Sequence, residues 1–271
     1  MDKSNIVQKN REKSFRKRIQ LNENLTAIIG DFKSHFRLIN PAGQNVYLYL
    51  IEYVKDFSQF WLEKEFEKLK VLDWGCGAGI ASFLLKGIGA DVVSCDVEIQ
   101  KKEEVPIITK SGIKVIQLKH EYLLPFDNNE FEVVLSFGVL EHTSNELESL
   151  KEINRILKPK GLFFCFNIPY FLSWSQQLAH LKGNNYHNKF YSRRLIRNLV
   201  NESGLDLIDI WHRQLFPKNR IRYPDYHLFE DIDQFLVSKT FLRYFATNIE
   251  FVASKKADKS ATTTNAISRI V

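Results

Sequence analysis

Asp73 stands two residues ahead of Gly75 in the stretch Val-Leu-Asp-Trp-Gly-Cys-Gly-Ala-Gly, residues 71–79, and Gly77 and Gly79 follow at alternate positions. Glycines so spaced after an apolar run let a strand turn sharply into a helix and let the backbone approach a ligand closely. The dinucleotide fingerprint has its third glycine one place later, and a P-loop needs a Gly-Lys-Ser/Thr that does not follow here. A carboxylate just before the turn repels a phosphate and attracts an ammonium group. Asp96, 17 residues after Gly79, stands where a doubly wound nucleotide site carries the acid that receives ribose hydroxyls. An amino-acid head joined to an adenosine describes S-adenosylmethionine (SAM).

Methyl transfer from a sulfonium is a displacement, so the protein has to align the reactants and exclude water. A hydroxyl acceptor also benefits from a general base. His142 in Leu-Glu-His-Thr and His187 in Tyr-His-Asn-Lys-Phe-Tyr-Ser are the candidates, and each also reads as a residue that packs or ties down a loop. Tyr170, Tyr186 and Tyr191 are candidates for the wall of an acceptor pocket. Glu141 and His142 could serve a metal, but no third ligand is evident in sequence, so no metal is expected.

The elements that must position these residues alternate. Residues 44–69 have apolar side chains at helical spacing. Short apolar runs at 70–74, 91–97, 113–120, 131–140 and 162–169 read as strands, with helical stretches between them. Thr143-x-x-Glu146 reads as a capping box that opens the helix over 145–158. Asn167-Ile-Pro-Tyr170 reads as a turn leaving the sheet. A helix over 193–203, a strand over 205–216, a helix near 228–242 and a last strand over 247–254 follow. Apolar strands alternating with helices pair in parallel through right-handed crossovers, which gives an α/β, doubly wound, Rossmann-like sheet.

At this point the chain resembles the class I SAM-dependent methyltransferases, and within them the small-molecule branch that includes the ubiquinone and menaquinone methyltransferases (the type 11 family). Four blocks carry the resemblance, in family order: VLDWGCGAG, VVSCDVE, LLPFDNNEFEVVLSFGVLEHT and INRILKPKGLFFCFNIP, together about residues 70–170. The resemblance implies a seven-stranded sheet with its last strand antiparallel. It implies that Asp73, Gly75, Gly77 and Gly79, with Trp74 in the same turn, hold the methionine part of SAM. Asp96 then binds the ribose, Val97 lies against the adenine, and Phe137 borders the methyl-transfer site. The family often has Gly-Asp-Ala where this chain has Lys119, His120 and Glu121. His120 thus replaces an acid near the adenine amine, and Glu121 is the group that can substitute for it.

Composition sets the outer bounds. The chain has 271 residues, 44% of them hydrophobic, which is enough for a sizeable core. The first 20 residues have no apolar signal core, and the longest apolar stretch, 161–174, is interrupted by Asn167 and Pro169. A cytoplasmic protein without a transmembrane segment is expected. The three cysteines, Cys76, Cys95 and Cys165, fall in apolar segments without a CxxC pair and read as buried thiols. Residues 1–20 hold seven basic and two acidic residues, so most of the net charge of +6 lies there. The expected organisation is a basic N-terminal extension over 1–43 that is partly lid, a methyltransferase domain over 44–255 with an acceptor lid over 170–204, and a flexible tail over 256–271. The expected activity is methyl transfer to a hydroxyl of a small biosynthetic intermediate, with nucleic acid not expected as a partner. An RNA or protein methyltransferase using the basic arm, and a non-catalytic SAM-fold binding protein, stay as alternatives.

Overall fold

The computed structural model describes residues 3–14, 41–98, 106–183, 187, 189–216 and 226–257. The elements run α1 (Lys3–Ser14), α2 (Pro41–Leu62), β1 (Lys70–Trp74), α3 (Ile80–Gly87), β2 (Asp91–Asp96), α4 (Pro106–Ser111), β3 (Val115–Gln117), β4 (Phe131–Phe137), α5 (Glu146–Ile156), β5 (Leu157–Pro169), α6 (Trp174–Leu181), α7 (Arg193–Glu202), β6 (Leu205–Arg213), α8 (Tyr226–Lys239) and β7 (Asn248–Lys255). The seven strands form one sheet in the order β3-β2-β1-β4-β5-β7-β6. β7 is antiparallel to both β5 and β6, and the other pairings are parallel. The chain leaves β1 toward β2 on one side and returns to β4 on the other, so the order reverses between β1 and β4. That reversal is where an open α/β sheet leaves a crevice outside the carboxyl ends of its strands.

Both faces of the sheet are covered, which is why the central strands are apolar throughout rather than alternating. All seven residues of β4 are buried. Val71, Val133, Leu135, Phe164 and Phe166 pack on one face against Ile51, Val54 and Phe57 of α2 and Phe83 and Leu84 of α3. Leu72, Val134, Phe163 and Cys165 pack on the other against Leu150 and Ile153 of α5 and Ile196 and Val200 of α7. Each such side chain, fully buried, is worth roughly 1.5–3 kcal/mol. All three cysteines are free and buried.

Several local expectations change. The helix expected over 44–69 ends at Leu62, and a short 3-10 turn over Phe66–Lys68 leads into β1. The strand expected over 113–120 is reduced to Val115–Gln117. The cap of α5 is Asn145 rather than Thr143: the Asn145 side chain accepts the Glu148 amide at 3.2 Å. The Thr143 hydroxyl instead donates to the Leu140 carbonyl at 3.0 Å. Asn167 is not a turn: β5 runs on to Pro169, and Asn167 sits in a bulge with φ of +60°. Its side chain accepts from Arg213, and its amide donates to Glu250.

Part of the basic N-terminal segment is docked rather than free. Val7 of α1 is buried in the same cluster as α2, Arg11 pairs with Asp209 of β6, and the Arg11 guanidinium lies 4.6 Å over the Trp211 ring. Residues 15–40 and the tail from 258 lie outside the described residues. Among the described residues no helix is long and apolar enough to cross a membrane.

Candidate active site

The glycine turn closes the carboxyl end of β1, and all three of its glycines have positive φ: +68° at Gly75, +49° at Gly77 and +75° at Gly79. A side chain is excluded at Gly75 twice over, because a Cβ there would lie 2.5 Å from Val139 Cγ2. Gly77 differs: a Cβ there would meet nothing within 4 Å, so its α-carbon faces open space. The Gly75 and Cys76 amides both donate to the Cys95 carbonyl, at 2.9 and 3.0 Å, which fastens the turn to the end of β2. The Gly77 amide donates to Asp96 Oδ2 at 2.7 Å, and the Glu98 amide to Asp96 Oδ1 at 3.1 Å. Asp96 is partly exposed beside this open space, and Val97 next to it is 40% exposed. A hydrogen-bonding carboxylate, an open glycine and an exposed apolar side chain, side by side, fit a ribose and its adenine. The residues present therefore fit SAM.

Asp73 is 2% exposed, and the Ser82 hydroxyl donates to its Oδ2 at 2.5 Å. Burial pushes its pKa from 3.8 up to about 6, against the opposing pull of the Ser82 hydrogen bonds. With the folded pKa above the unfolded one, the buried charge costs stability above about pH 6. That cost is relieved as pH falls from about 6 toward 3.8 and the folded chain takes up the proton. Asp73→Asn is therefore expected to stabilise the unliganded chain at neutral pH by about 1–3 kcal/mol, and by less near pH 5. Denaturant unfolding at the two pH values measures it. A stabilisation equal at both would overturn the burial account.

The carboxyl end of β4 lies next to that of β1. Phe137 stacks on Tyr47 of α2 with ring centroids 5.2 Å apart. Gly138, at φ of +66°, turns the chain into a 3-10 turn over Leu140–His142. Glu141 is 5% exposed, and its Oε1 lies 3.9 Å from His142 Nε2 and 3.9 Å from His187 Nδ1. The two imidazoles have centroids 6.0 Å apart. His187 reaches this point because Lys189 donates to the Thr143 carbonyl at 2.6 Å and pairs with Glu146 at 3.0 Å. Burial, and then the neighbouring His142, hold the His187 pKa below the usual imidazole value. The third group missing from the sequence beside Glu141 and His142 is thus supplied by the fold: one ligand atom from each of the three lies within 4.8 Å of the others.

Other candidate residues are placed differently. The Trp74 side chain is 2% exposed and faces Phe163 in the core, so only its backbone belongs to the turn. His120 is exposed in the loop after β3. Glu121 accepts the Ser144 amide at 2.6 Å and ties down the loop after β4. Tyr170 and Tyr191 are 4% and 0% exposed and belong to the core, not to an open pocket wall. The Tyr191 hydroxyl donates to Glu146, and the Tyr170 ring packs on His212. Aromatic side chains after a buried strand extend its core before they line anything else. Tyr186 lies outside the described residues. Ser82 was missed by the sequence reading. Ser82 left a signal, since it is a polar residue on the buried face of an apolar helix.

The chain matches the methyltransferase domain family over residues 47–210. The ubiquinone biosynthesis O-methyltransferase of Roseobacter denitrificans is 26% identical over 198 residues, covering 66% of this chain and 76% of that protein. Its counterpart from Maricaulis maris is 34% identical over 110 residues, covering 39% and 43%. A SAM-dependent methyltransferase structure from Archaeoglobus fulgidus shares the fold, with a TM-score of 0.50 at 18% identity over 76% of this chain and 94% of that one. The chain belongs to the methyltransferase domain family, and with a Rossmann-like sheet whose switch point fits SAM it is a class I SAM-dependent methyltransferase.

Proposed function

We propose that the chain transfers the SAM methyl group to a hydroxyl oxygen of a small organic acceptor. The observation that carries this reading is the grouping of Glu141, His142 and His187 at the carboxyl end of β4, beside the glycine turn. The names of the relatives, ubiquinone biosynthesis O-methyltransferases, support oxygen as the methylated atom.

SAM, when bound, supplies an electrophilic methyl on a sulfonium. Asp73, Gly75, Gly77 and Gly79 hold its methionine part, and Asp96 receives its ribose hydroxyls, with Val97 against the adenine. Phe137, braced by Tyr47, walls the transfer site and keeps water out. His187, less basic than a free imidazole, accepts the hydroxyl proton, and buried Glu141 stabilises the imidazolium that forms. His142 is 63% exposed in its side chain and passes that proton to solvent. The described residues between Tyr170 and Tyr191 act as the cover of the acceptor, with Lys189 holding them to the end of β4, while α7, expected as part of that lid, packs on the sheet.

The test is a labelled-methyl assay on paired hydroxyl and amine acceptors of one carbon skeleton. Hydroxyl methylation is expected, with His187→Ala lowering kcat by about 100-fold and leaving the SAM dissociation constant unchanged. Methylation of the amines alone would overturn the reading. The mutual spacing of the three ligand atoms favours a second reading, in which they hold a divalent cation that acidifies the hydroxyl. A chelator abolishes activity under that reading and leaves it unchanged under the first.

A further inference from the structure

A second constellation lies at the far edge of the sheet. Three strands, β4, β5 and β7, separate β1 from β6. A cleft of about 730 Å³ runs along residues 209–214 at the end of β6, between α1 and α8. That volume falls in the range of small-molecule sites, about 300–1,000 Å³.

Most charges around it are already paired. Arg11 pairs with Asp209, Lys239 with Glu12, and Arg213 with Glu250. Asp233 accepts the Leu215 and Phe216 amides, each at 2.8 Å. Arg193, Arg243 and the exposed Asp231 are the exceptions among the described residues. Both arginines line the cleft and are partly buried, and among the described residues neither forms an ion pair. Arg243 donates to the Thr240 carbonyl at 3.0 Å and lies 6.0 Å from the Tyr244 ring centre. Asp209 bears on Arg193 from a distance, but its carboxylate is engaged by Arg11.

His212 sits between these two arginines. It is 6% exposed, its ring packs 4.5 Å from Tyr170 and 6.0 Å from Tyr244, and among the described residues its Nε2 has no hydrogen-bond partner. Burial and the charges of Arg193 and Arg243 push its pKa down to about 4. Arg193 is also the first residue of α7, whose first turn contains no acid, so its charge opposes the helix dipole.

A partly buried guanidinium with no counter-ion is costly, and so is a buried nitrogen with no partner. Here two such arginines and one such imidazole converge on one cleft. An oxyanion satisfies all three at once, through forked guanidinium donors and a bond from the imidazole. We propose that this cleft binds the phosphate or carboxylate group of a small organic molecule through Arg193, Arg243 and His212. The site is separate from the glycine turn and does not depend on which atom the enzyme methylates.

Inorganic phosphate and succinate, titrated separately into the full chain, test it by calorimetry and by NMR of the His212 ring. A dissociation constant of about 1 mM or tighter is expected for at least one of them, with the His212 pKa rising on binding. The preferred anion distinguishes a phosphate ester from a carboxylate ligand. Arg193→Gln and Arg243→Gln should each weaken binding about tenfold or more, the charge-assisted bond being lost while circular dichroism stays that of the parent. Equal binding in folded variants, or no binding of either anion to the parent, overturns the proposal.

Discussion

Glu250→Ala is expected to cost about 3–5 kcal/mol of stability, the range for breaking a buried ion pair by removing one partner. Glu250 of β7 is 0% exposed. Its Oε1 accepts Arg213 Nε of β6 at 2.7 Å and the Asn167 amide of β5 at 3.2 Å. Arg213 Nη2 in turn donates to the Asn167 side chain at 2.5 Å, so three adjacent strands are clamped by one network. Removing the carboxylate strands a guanidinium whose side chain is 12% exposed and frees the left-handed Asn167 bulge. A chain of this size loses roughly 2–4 °C in Tm per kcal/mol, so a fall of about 10 °C is expected. Glu250→Gln keeps the acceptor oxygen and is expected to cost less. Replacing both partners, as Arg213→Met with Glu250→Leu, is expected to recover part of the loss, since neither member of the pair is then left buried without the other. A loss below about 1 kcal/mol for Glu250→Ala would mean the pair carries no net stabilisation. The bulge also matters to the candidate site, because the Asn167 carbonyl lies 3.8 Å from where a Gly138 Cβ would stand. Gly138 is the residue that turns β4 toward Glu141.

Asp96→Ala is expected to weaken SAM binding by more than about 100-fold, because it removes charge-assisted hydrogen bonds worth about 1.5–3 kcal/mol each. Two contributions add in the proposed role. The carboxylate receives the ribose hydroxyls, and it already fixes the turn by accepting the Gly77 and Glu98 amides. Asp96→Asn keeps one acceptor oxygen and is expected to fall between parent and alanine variant. Calorimetric titration with SAM and S-adenosylhomocysteine measures both. Losing the Gly77 and Glu98 bonds at this partly exposed site is expected to cost the unliganded variant about 1–3 kcal/mol, leaving it folded. Parent-like affinity in a folded Asp96→Ala chain would remove Asp96 from the cofactor site.

The strands and the glycine turn were legible because they rest on local, periodic signals. Apolar runs at 70–74 and 131–137 need no partner to be recognised, and only glycine relaxes readily into the φ of +68° that residue 75 adopts. The N-cap was misread because Thr143 and Asn145 are both good caps, and only the backbone path decides which of them faces a free amide. Tyr170 and Tyr191 were misread because an aromatic residue after a strand looks the same whether it lines a pocket or fills a core.

The sequence by itself determined the class of fold, the crevice at the end of the first strand and the acid that stands across from the glycines, since each depends on residue type and short spacing. Tertiary structure alone decided the rest. It brought His187 to Glu141 and His142 from 45 residues further along the chain, clamped Asn167 between Arg213 and Glu250, and left Arg193, Arg243 and His212 together with no ion pair among the described residues. Those groupings join residues from different strands and loops, and no periodicity in the chain encodes a contact made only after the sheet has closed.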